Sequence, residues 1–250
     1  MIGLNETTEY KKYTGKKVYT LLVIVLILCC AAFLVLSYIS YNKIGKMAST
    51  LVSVQQPTIV LDPGHGGEDG GAASKSGLQE KDINLAISLN LQKMLTSSGF
   101  TVVMTRESDS SIGDKSLATI RERKVSDLHN RLKIIEKQEN CIFISIHQNH
   151  FSDSKYYGSQ IFYSKNNDQS KLLAESMQTQ IVQLLQPQNK REIKPAGNTI
   201  YLLWNMKVPA VIVECGFLSN EAEAKKLSEP IYQRQMAFSI YNGLLNYLQQ

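Results

Sequence analysis

Cysteine is scarce in this 250-residue chain, and its placement excludes a disulfide framework. Cys29 and Cys30 lie in a long apolar segment, whereas Cys141 and Cys215 lie in short apolar runs that we predict to be core strands. Buried thiols of this kind pack as small hydrophobic side chains. Internal repeats and low-complexity tracts are also absent from the sequence, so we expect one globular core, for which a 43% hydrophobic composition is sufficient.

Excess charge is also small outside the amino-terminal region. The first 50 residues hold six of the 27 basic and two of the 22 acidic side chains, so residues 51–250 carry a net charge of about +1. Nucleic-acid-binding domains are usually strongly basic, so we expect no nucleic-acid partner. The glycine-rich segment GHGGEDGGAASKSG lacks the Gly-Lys-Ser/Thr sequence of a phosphate-binding loop, which disfavours a nucleotide site.

The amino-terminal region contains 22 consecutive uncharged residues, 18–39. As a helix this segment would be roughly 33 Å long, which is enough to span the hydrocarbon core of a bilayer. Four lysines precede it and two follow closely, which predicts a cytoplasmic amino terminus and an exported remainder. Its length favours an uncleaved anchor over a cleaved signal peptide. We therefore predict a cytoplasmic segment (1–17), a transmembrane helix (18–39), a linker (40–56) and an exported catalytic domain (57–250).

Three short apolar runs each lead to a side chain that can bind a metal or transfer a proton. Functional residues of α/β sheets lie beyond the carboxyl ends of parallel strands, so we expect His65, His147 and Glu214 to lie close together. The runs are TIVL at 58–61, which leads to His65 in a glycine-rich turn; CIFISI at 141–146, followed by His147; and AVIV at 210–213, followed by Glu214.

Strand and helix patterns alternate through residues 57–250. We predict an α/β fold with a six-stranded, mostly parallel sheet and helices on both faces, preceded by one transmembrane helix. Residues 187–197, rich in Pro, Lys and Arg, are predicted to form a loop. The predicted strands are 58–61, 100–105, 141–146, 160–164, 199–204 and 210–214, and the predicted helices are 80–96, 117–137, 170–185, 221–227 and 231–248.

Two histidines and a carboxylate that leave one position for water are a common ligand set for catalytic zinc. His129 lies on the charged face of a predicted helix and His150 lies past a strand end, so we expect both to be solvated. The residues alone leave the choice of carboxylate open. The candidates are Asp62, Glu68, Asp69, Glu80 and Glu214.

Four motifs occur in order along residues 57–250: IVLDPGHGGEDGGA, GLQEKDINL, FISIHQNHF and PAVIVECGFLSN. On these motifs the chain resembles the zinc-dependent N-acetylmuramoyl-L-alanine amidases. The resemblance implies that Zn²⁺ is held by His65, Glu80 and His147 and that Glu214 is the catalytic glutamate. Asn149 is a candidate for orienting substrate, or else it forms a turn.

The sequence SIHQN, in place of the alanine-containing SIHAN, and the single-domain layout resemble the germination-specific branch of this family. That resemblance implies removal of peptides from muramic acid in the spore cortex, before a separate deacetylase completes muramic-δ-lactam. It also implies location in the spore envelope and allows for an accessory protein. Two alternatives are a zinc peptidase that cuts the stem peptides and a domain that only binds peptidoglycan.

Overall fold

The computed structural model describes residues 5–51 and 56–250, with side chains in 18–41 and 56–250. The first compact unit contains one helix, α1 (Asn5–Leu51), so backbone 40–51 of the predicted linker is helical. Residues 1–4 and 52–55, which belong to the predicted cytoplasmic segment and linker, lie outside the described residues. Within α1, Val18–Tyr41 is long and apolar enough to cross a membrane, a property that signal sequences share.

The second unit, Gln56–Gln250, is built on one six-stranded sheet. Its strands are β1 (Thr58–Pro63), β2 (Val102–Met104), β3 (Cys141–Asn149), β4 (Gln160–Tyr163), β5 (Lys194–Pro195) and β6 (Ala210–Phe217). The strand order is β2-β1-β3-β6-β4-β5, and all neighbours are parallel except β4 and β6. The central strands β1, β3 and β6 are apolar runs because both of their faces are covered.

Helices cover both faces of the sheet, as predicted. They are α2 (Glu80–Ser97), α3 (Ile120–Glu136), α4 (Gln169–Leu184), α5 (Tyr201–Asn205), α6 (Glu221–Leu227) and α7 (Pro230–Leu248). Alternate residues of β1 face opposite layers, with Ile59 and Leu61 packed against α2, α4 and α7 and Val60 packed on the side of α3 and α5. The α3 side is therefore the face on which Asp62, His147 and Glu214 lie at the ends of their strands.

One predicted strand is wrong. Residues 199–204 do not form a strand, because 199 and 200 lie in a turn and 201–204 belong to α5. The sixth strand is the short β5, inside the segment 187–197 that was predicted to be a loop. Leu202 and Leu203 are both buried in the core on the α3 side. A short apolar run has the same composition in a buried helical turn as in a buried strand, so its periodicity cannot distinguish the two.

A buried ionic cluster joins α3 to the end of β1. Arg131 is 2% exposed and forms ion pairs with Asp62 and Asp127. Its guanidinium also donates to the carbonyl oxygens of Pro63 at 2.9 Å and His65 at 2.7 Å. Arg131 thereby fixes both the charge of Asp62 and the backbone of the loop that follows β1.

The carboxylate of Asp62 is held from three sides. The hydroxyls of Thr105 and Ser145 each donate to it at 2.6 Å. Burial alone would raise the pKa of Asp62, but the charge of Arg131 and these two hydrogen bonds lower that pKa to about 2. Asp62 is therefore an ionised structural partner of Arg131, which removes it from the candidate metal ligands.

Replacing Arg131 should destabilise the fold strongly. Arg131→Gln leaves Asp62 and Asp127 buried without their cation, so we expect the free energy of unfolding to fall by about 3–5 kcal/mol. Arg121→Gln is the matched control, because Arg121 lies on the same helix and is exposed; its effect should stay within about 0.5 kcal/mol. Urea unfolding followed by circular dichroism measures both, and equal stability of the two variants would contradict this role for Arg131.

Candidate metal centre and catalytic site

His65, Glu80 and His147 converge at the carboxyl-terminal edge of β1 and β3. One potential ligand atom from each lies within 4.8 Å of the other two, and no other such group occurs among the described residues. Oε1 of Glu80 lies 3.3 Å from Nε2 of His65 and 2.9 Å from Nδ1 of His147. Two imidazole nitrogens and one carboxylate oxygen around a common point fit a divalent metal ion of the zinc type.

The backbone makes room for these ligands at two glycines. A Cβ atom at Gly64 would lie 2.2 Å from the ring of His147, and one at Gly71 would lie 2.5 Å from Oε2 of Glu80. Van der Waals contact requires distances well beyond these, so neither position accepts a side chain while the ligands keep their places. The glycine-rich loop therefore brings the main chain directly against the side chains of His147 and Glu80.

His65 is held in an unusual backbone conformation. Its φ of 64° is the only positive value at a non-glycine residue among the described residues, and such a conformation persists only where surrounding contacts enforce it. The carbonyl of His65 accepts from Arg131, and its Nδ1 lies 2.8 Å from Oδ2 of Asp69. This pairing directs Nε2 toward Glu80, as an orienting carboxylate does for many metal-bound histidines.

The proton on His65 is stabilised in the metal-free site. Burial alone would lower the pKa of His65, but hydrogen bonds and charge from Asp69 and Glu80 raise that pKa to about 9. A metal ion needs a neutral imidazole, so metal binding displaces this proton.

Glu80 is the first residue of α2 and is 3% exposed. Besides the histidines, its carboxylate accepts from the backbone N–H of Ala72 at 2.8 Å and of Gln148 at 3.0 Å. Burial would raise the pKa of Glu80, yet hydrogen bonds and charge from both histidines lower it well below its usual range. The geometry thus selects Glu80 from the five candidate carboxylates as the one that faces both rings.

The other acidic candidates of the glycine loop have different partners. Glu68 forms an ion pair with Arg123 near the surface. Asp69 pairs with Lys124 at 2.7 Å as well as with His65. The loop therefore supplies one candidate ligand, His65, and one carboxylate that orients it, Asp69.

Glu214 lies beside His147 in the parallel register of β3 and β6, on the same face of the sheet. Its Oε2 atom is buried and has no hydrogen-bond partner among the described residues. Burial raises the pKa of Glu214 to about 7, although the charge of His147 opposes that rise. A carboxyl group that can both take and release a proton near neutral pH suits general acid–base catalysis.

Asn149, His150 and His129 lie outside the group of three candidate ligands. Asn149 follows His147 by two positions, past a register shift in β3, and pairs with Phe217. His150 and His129 are exposed, as expected, and neither belongs to the metal-binding group. A cavity of about 300 Å³ opens beside the centre on the α3 side, lined by residues that include His65, Asp69, Lys124, His147 and Leu202.

Two supporting residues were not predicted from the sequence. Asn84 donates to the carbonyl of Gly64 at 3.1 Å and to Oε1 of Glu80 at 3.3 Å. Arg106 donates to the carbonyls of Pro63 at 2.9 Å and Gly64 at 3.0 Å. The sequence signals for these residues were a polar side chain on the buried face of α2, for Asn84, and a cation at a strand end, for Arg106. Their roles could not be predicted because the groups that they contact are distant in the chain.

A family model described as N-acetylmuramoyl-L-alanine amidase matches residues 59–246. The match spans β1 to α7 and includes His65, Glu80, His147 and Glu214. The chain therefore belongs to the N-acetylmuramoyl-L-alanine amidase family, and it is a hydrolase with N-acetylmuramoyl-L-alanine amidase activity toward peptidoglycan.

Individual members of the family are similar to this chain over most of its length. The chain is 38% identical over 189 residues to the germination-specific N-acetylmuramoyl-L-alanine amidase of Bacillus subtilis, a match that covers 76% of this chain and 78% of that protein. The structure of the CwlD amidase from Clostridioides difficile in complex with the GerS lipoprotein is similar, with a TM-score of 0.75, 45% identity and coverage of 78% and 99%. The amidase AmiC2 of Nostoc punctiforme gives a TM-score of 0.65, 30% identity and coverage of 78% and 98%.

Metal content should depend on the three converging residues. Loss of a residue that only orients a metal ligand typically weakens metal binding by roughly 10–100-fold. We expect a larger loss of affinity in each of the variants His65→Ala, Glu80→Ala and His147→Ala, because each removes a ligand itself. His150→Ala is the control and should retain the metal, because His150 is exposed and outside the group. Elemental analysis after dialysis measures the effect, and full metal content in the His65 variant would disprove this ligand set.

Proposed function

We propose that this amidase is a zinc enzyme of the spore cortex, with Zn²⁺ held by His65, Glu80 and His147 and with Glu214 as the catalytic proton carrier. The observation that supports this most directly is the convergence of the three ligand atoms beside a buried carboxyl group on the neighbouring strand. The same four residues are those that the family resemblance implies.

The bond to be cut explains why these groups are needed. Amide hydrolysis requires an activated nucleophile, stabilisation of the developing oxyanion and a proton for the departing nitrogen. When bound, Zn²⁺ supplies Lewis acidity that activates water and polarises the scissile carbonyl. Glu214 would accept the proton of water and deliver it to the amide nitrogen, and its pKa of about 7 suits both steps. Asn149 is proposed to orient the substrate at the edge of this site.

The proposed place of action follows from the relatives. Similarity to a germination-specific amidase supports removal of peptides from cortex muramic acid as the first step toward muramic-δ-lactam, with a deacetylase acting next. The CwlD relative was solved with the GerS lipoprotein, which supports an accessory protein here as well. The apolar span Val18–Tyr41 supports a membrane anchor with the catalytic unit outside the cytoplasm.

Product analysis tests the proposed reaction. Full-length protein in detergent, incubated with purified cortex peptidoglycan and Zn²⁺, should release peptides that begin with L-alanine and leave muramic acid without a peptide. Mass spectrometry distinguishes this outcome from peptidase action, which would leave L-alanine attached to muramic acid. Release of shortened peptides only would refute the amidase specificity, and full activity after chelation would refute the role of zinc.

Two glutamine substitutions separate proton transfer from metal binding. Glu214→Gln keeps the size of the side chain and leaves the three ligands in place, so metal content should survive while turnover falls by roughly 10²–10⁴-fold. Glu80→Gln should instead empty the site, because Glu80 faces both histidines. Metal content and product release are measured for both variants. Loss of metal in the Glu214 variant with retention in the Glu80 variant would reverse the two roles.

A further inference from the structure

A second cavity, of about 310 Å³, lies on the β4 side of Glu214. We refer to it as the Arg191 pocket and define it by Asn149, Gln160, Arg191, Lys194 and Phe217, which line it. No acidic side chain lines it among the described residues, whereas the lining of the cavity beside the candidate metal centre combines four acidic side chains with Lys124 and Arg131. The Arg191 pocket therefore differs in that its charged lining residues are all cationic.

The pocket adjoins the catalytic edge of the sheet. Because β4 runs antiparallel to β6, its first residue, Gln160, pairs with Glu214. Asn149 reaches the same edge from β3, on the other side of β6. Neighbouring strands are about 4.8 Å apart, so the pocket begins about one strand spacing from Glu214 and extends to β5.

The side chain of Arg191 is held by hydrogen bonds and ring contacts that leave one nitrogen of its guanidinium available to a ligand. Its Nε donates to the carbonyl of Tyr157 at 2.8 Å, and its Nη1 donates to Oε1 of Gln160 at 3.1 Å. The guanidinium lies over the rings of Phe217 and Tyr156, at 4.5 and 5.7 Å from their centroids. Among the described residues, Nη2 has no hydrogen-bond partner and Arg191 has no ion pair. An arginine held in this way is organised to bind an oxyanion.

The charges around Arg191 favour an anionic ligand. Lys194, on β5, is exposed at the pocket and forms no ion pair among the described residues. The nearby carboxylate of Glu223 accepts from the backbone N–H groups of Gly158 at 2.9 Å and Phe217 at 2.8 Å, and its charge acts on Arg191 without forming an ion pair. The lining of the pocket thus presents two cations and no acidic side chain.

We propose that the Arg191 pocket binds a free carboxylate on the peptide part of the substrate. This inference rests on the proposed amidase function. One or two strand spacings correspond to two or three residues of an extended peptide, at about 3.3 Å per residue. The carboxylate would therefore belong to the second or third residue from the scissile amide, and its capture would present that amide to Glu214. The rings of Tyr156 and Phe217 would cover the aliphatic part of the same residue.

Paired substrates test this assignment. We would compare N-acetylmuramoyl-tripeptides whose second and third residues carry free carboxylates with the same peptides blocked as carboxamides. Full-length enzyme should prefer the free acid by about ten- to a hundred-fold in kcat/KM, chiefly through KM, which is the scale of a charge-assisted hydrogen bond. Arg191→Gln and Lys194→Gln should reduce this preference, because each should lower kcat/KM for the free acid more than kcat/KM for the carboxamide.

Two controls keep the outcome decisive. Lys190→Gln removes an exposed lysine outside the pocket and should keep the full preference. Lys194→Gln covers the case in which Arg191→Gln misfolds, because the side chain of Lys194 is exposed and makes no hydrogen bond among the described residues. Equal losses on both substrates, or an enzyme that does not distinguish them, would overturn the proposal.

A binding measurement separates failure of the pocket from failure of the proposed reaction. Calorimetry with the free-acid and carboxamide tripeptides should show that full-length protein binds the acid about tenfold or more tightly, and that Lys194→Gln removes the difference. If neither substrate is cleaved yet this preference is present, the amidase specificity fails and the pocket stands. If cleavage occurs without any preference in binding, the pocket fails and the amidase stands.

Discussion

The contacts between Arg131 and the end of β1 are the constraint on which the geometry of the candidate metal centre depends. Arg131 holds the carbonyl oxygens of Pro63 and His65, while Arg106 holds those of Pro63 and Gly64. These carbonyls lie at the end of a buried strand and in the turn that follows it, and a buried carbonyl is costly to leave unbonded. By these hydrogen bonds the two arginines stabilise the loop that contains His65 in its unusual backbone conformation. The loop in turn places the imidazole of His65 opposite Glu80.

The strand pattern alone predicted much of this site. Two buried apolar runs end in His147 and Glu214, and the prediction that these side chains lie close together required only that the two strands be parallel. The strands β3 and β6 are parallel. The residues alone did not decide which carboxylate joins the histidines, because that depends on where α2 begins relative to the glycine loop. The structure decides it, since Glu80 alone among the candidates contacts both rings.

Other features depend on contacts that are distant in the chain. Arg131 meets Asp62 across 69 residues, and no local pattern distinguishes this arginine from its exposed neighbours on α3. The exchange of a predicted strand at 199–204 for α5 has a similar origin, because the core between α3 and the sheet decides how that apolar run folds. Sequence periodicity describes which side chains are buried, but only tertiary packing describes what they are buried against.

The metal-free centre already has a balanced set of charges. The protonated imidazole of His65 lies between the carboxylates of Asp69 and Glu80, and Lys124 pairs with Asp69 from outside. A proton on His65 thus occupies the electrostatic role that a bound ion would take over. A metal ion that bound here would exchange one positive charge for another, so its binding would weaken as the pH falls.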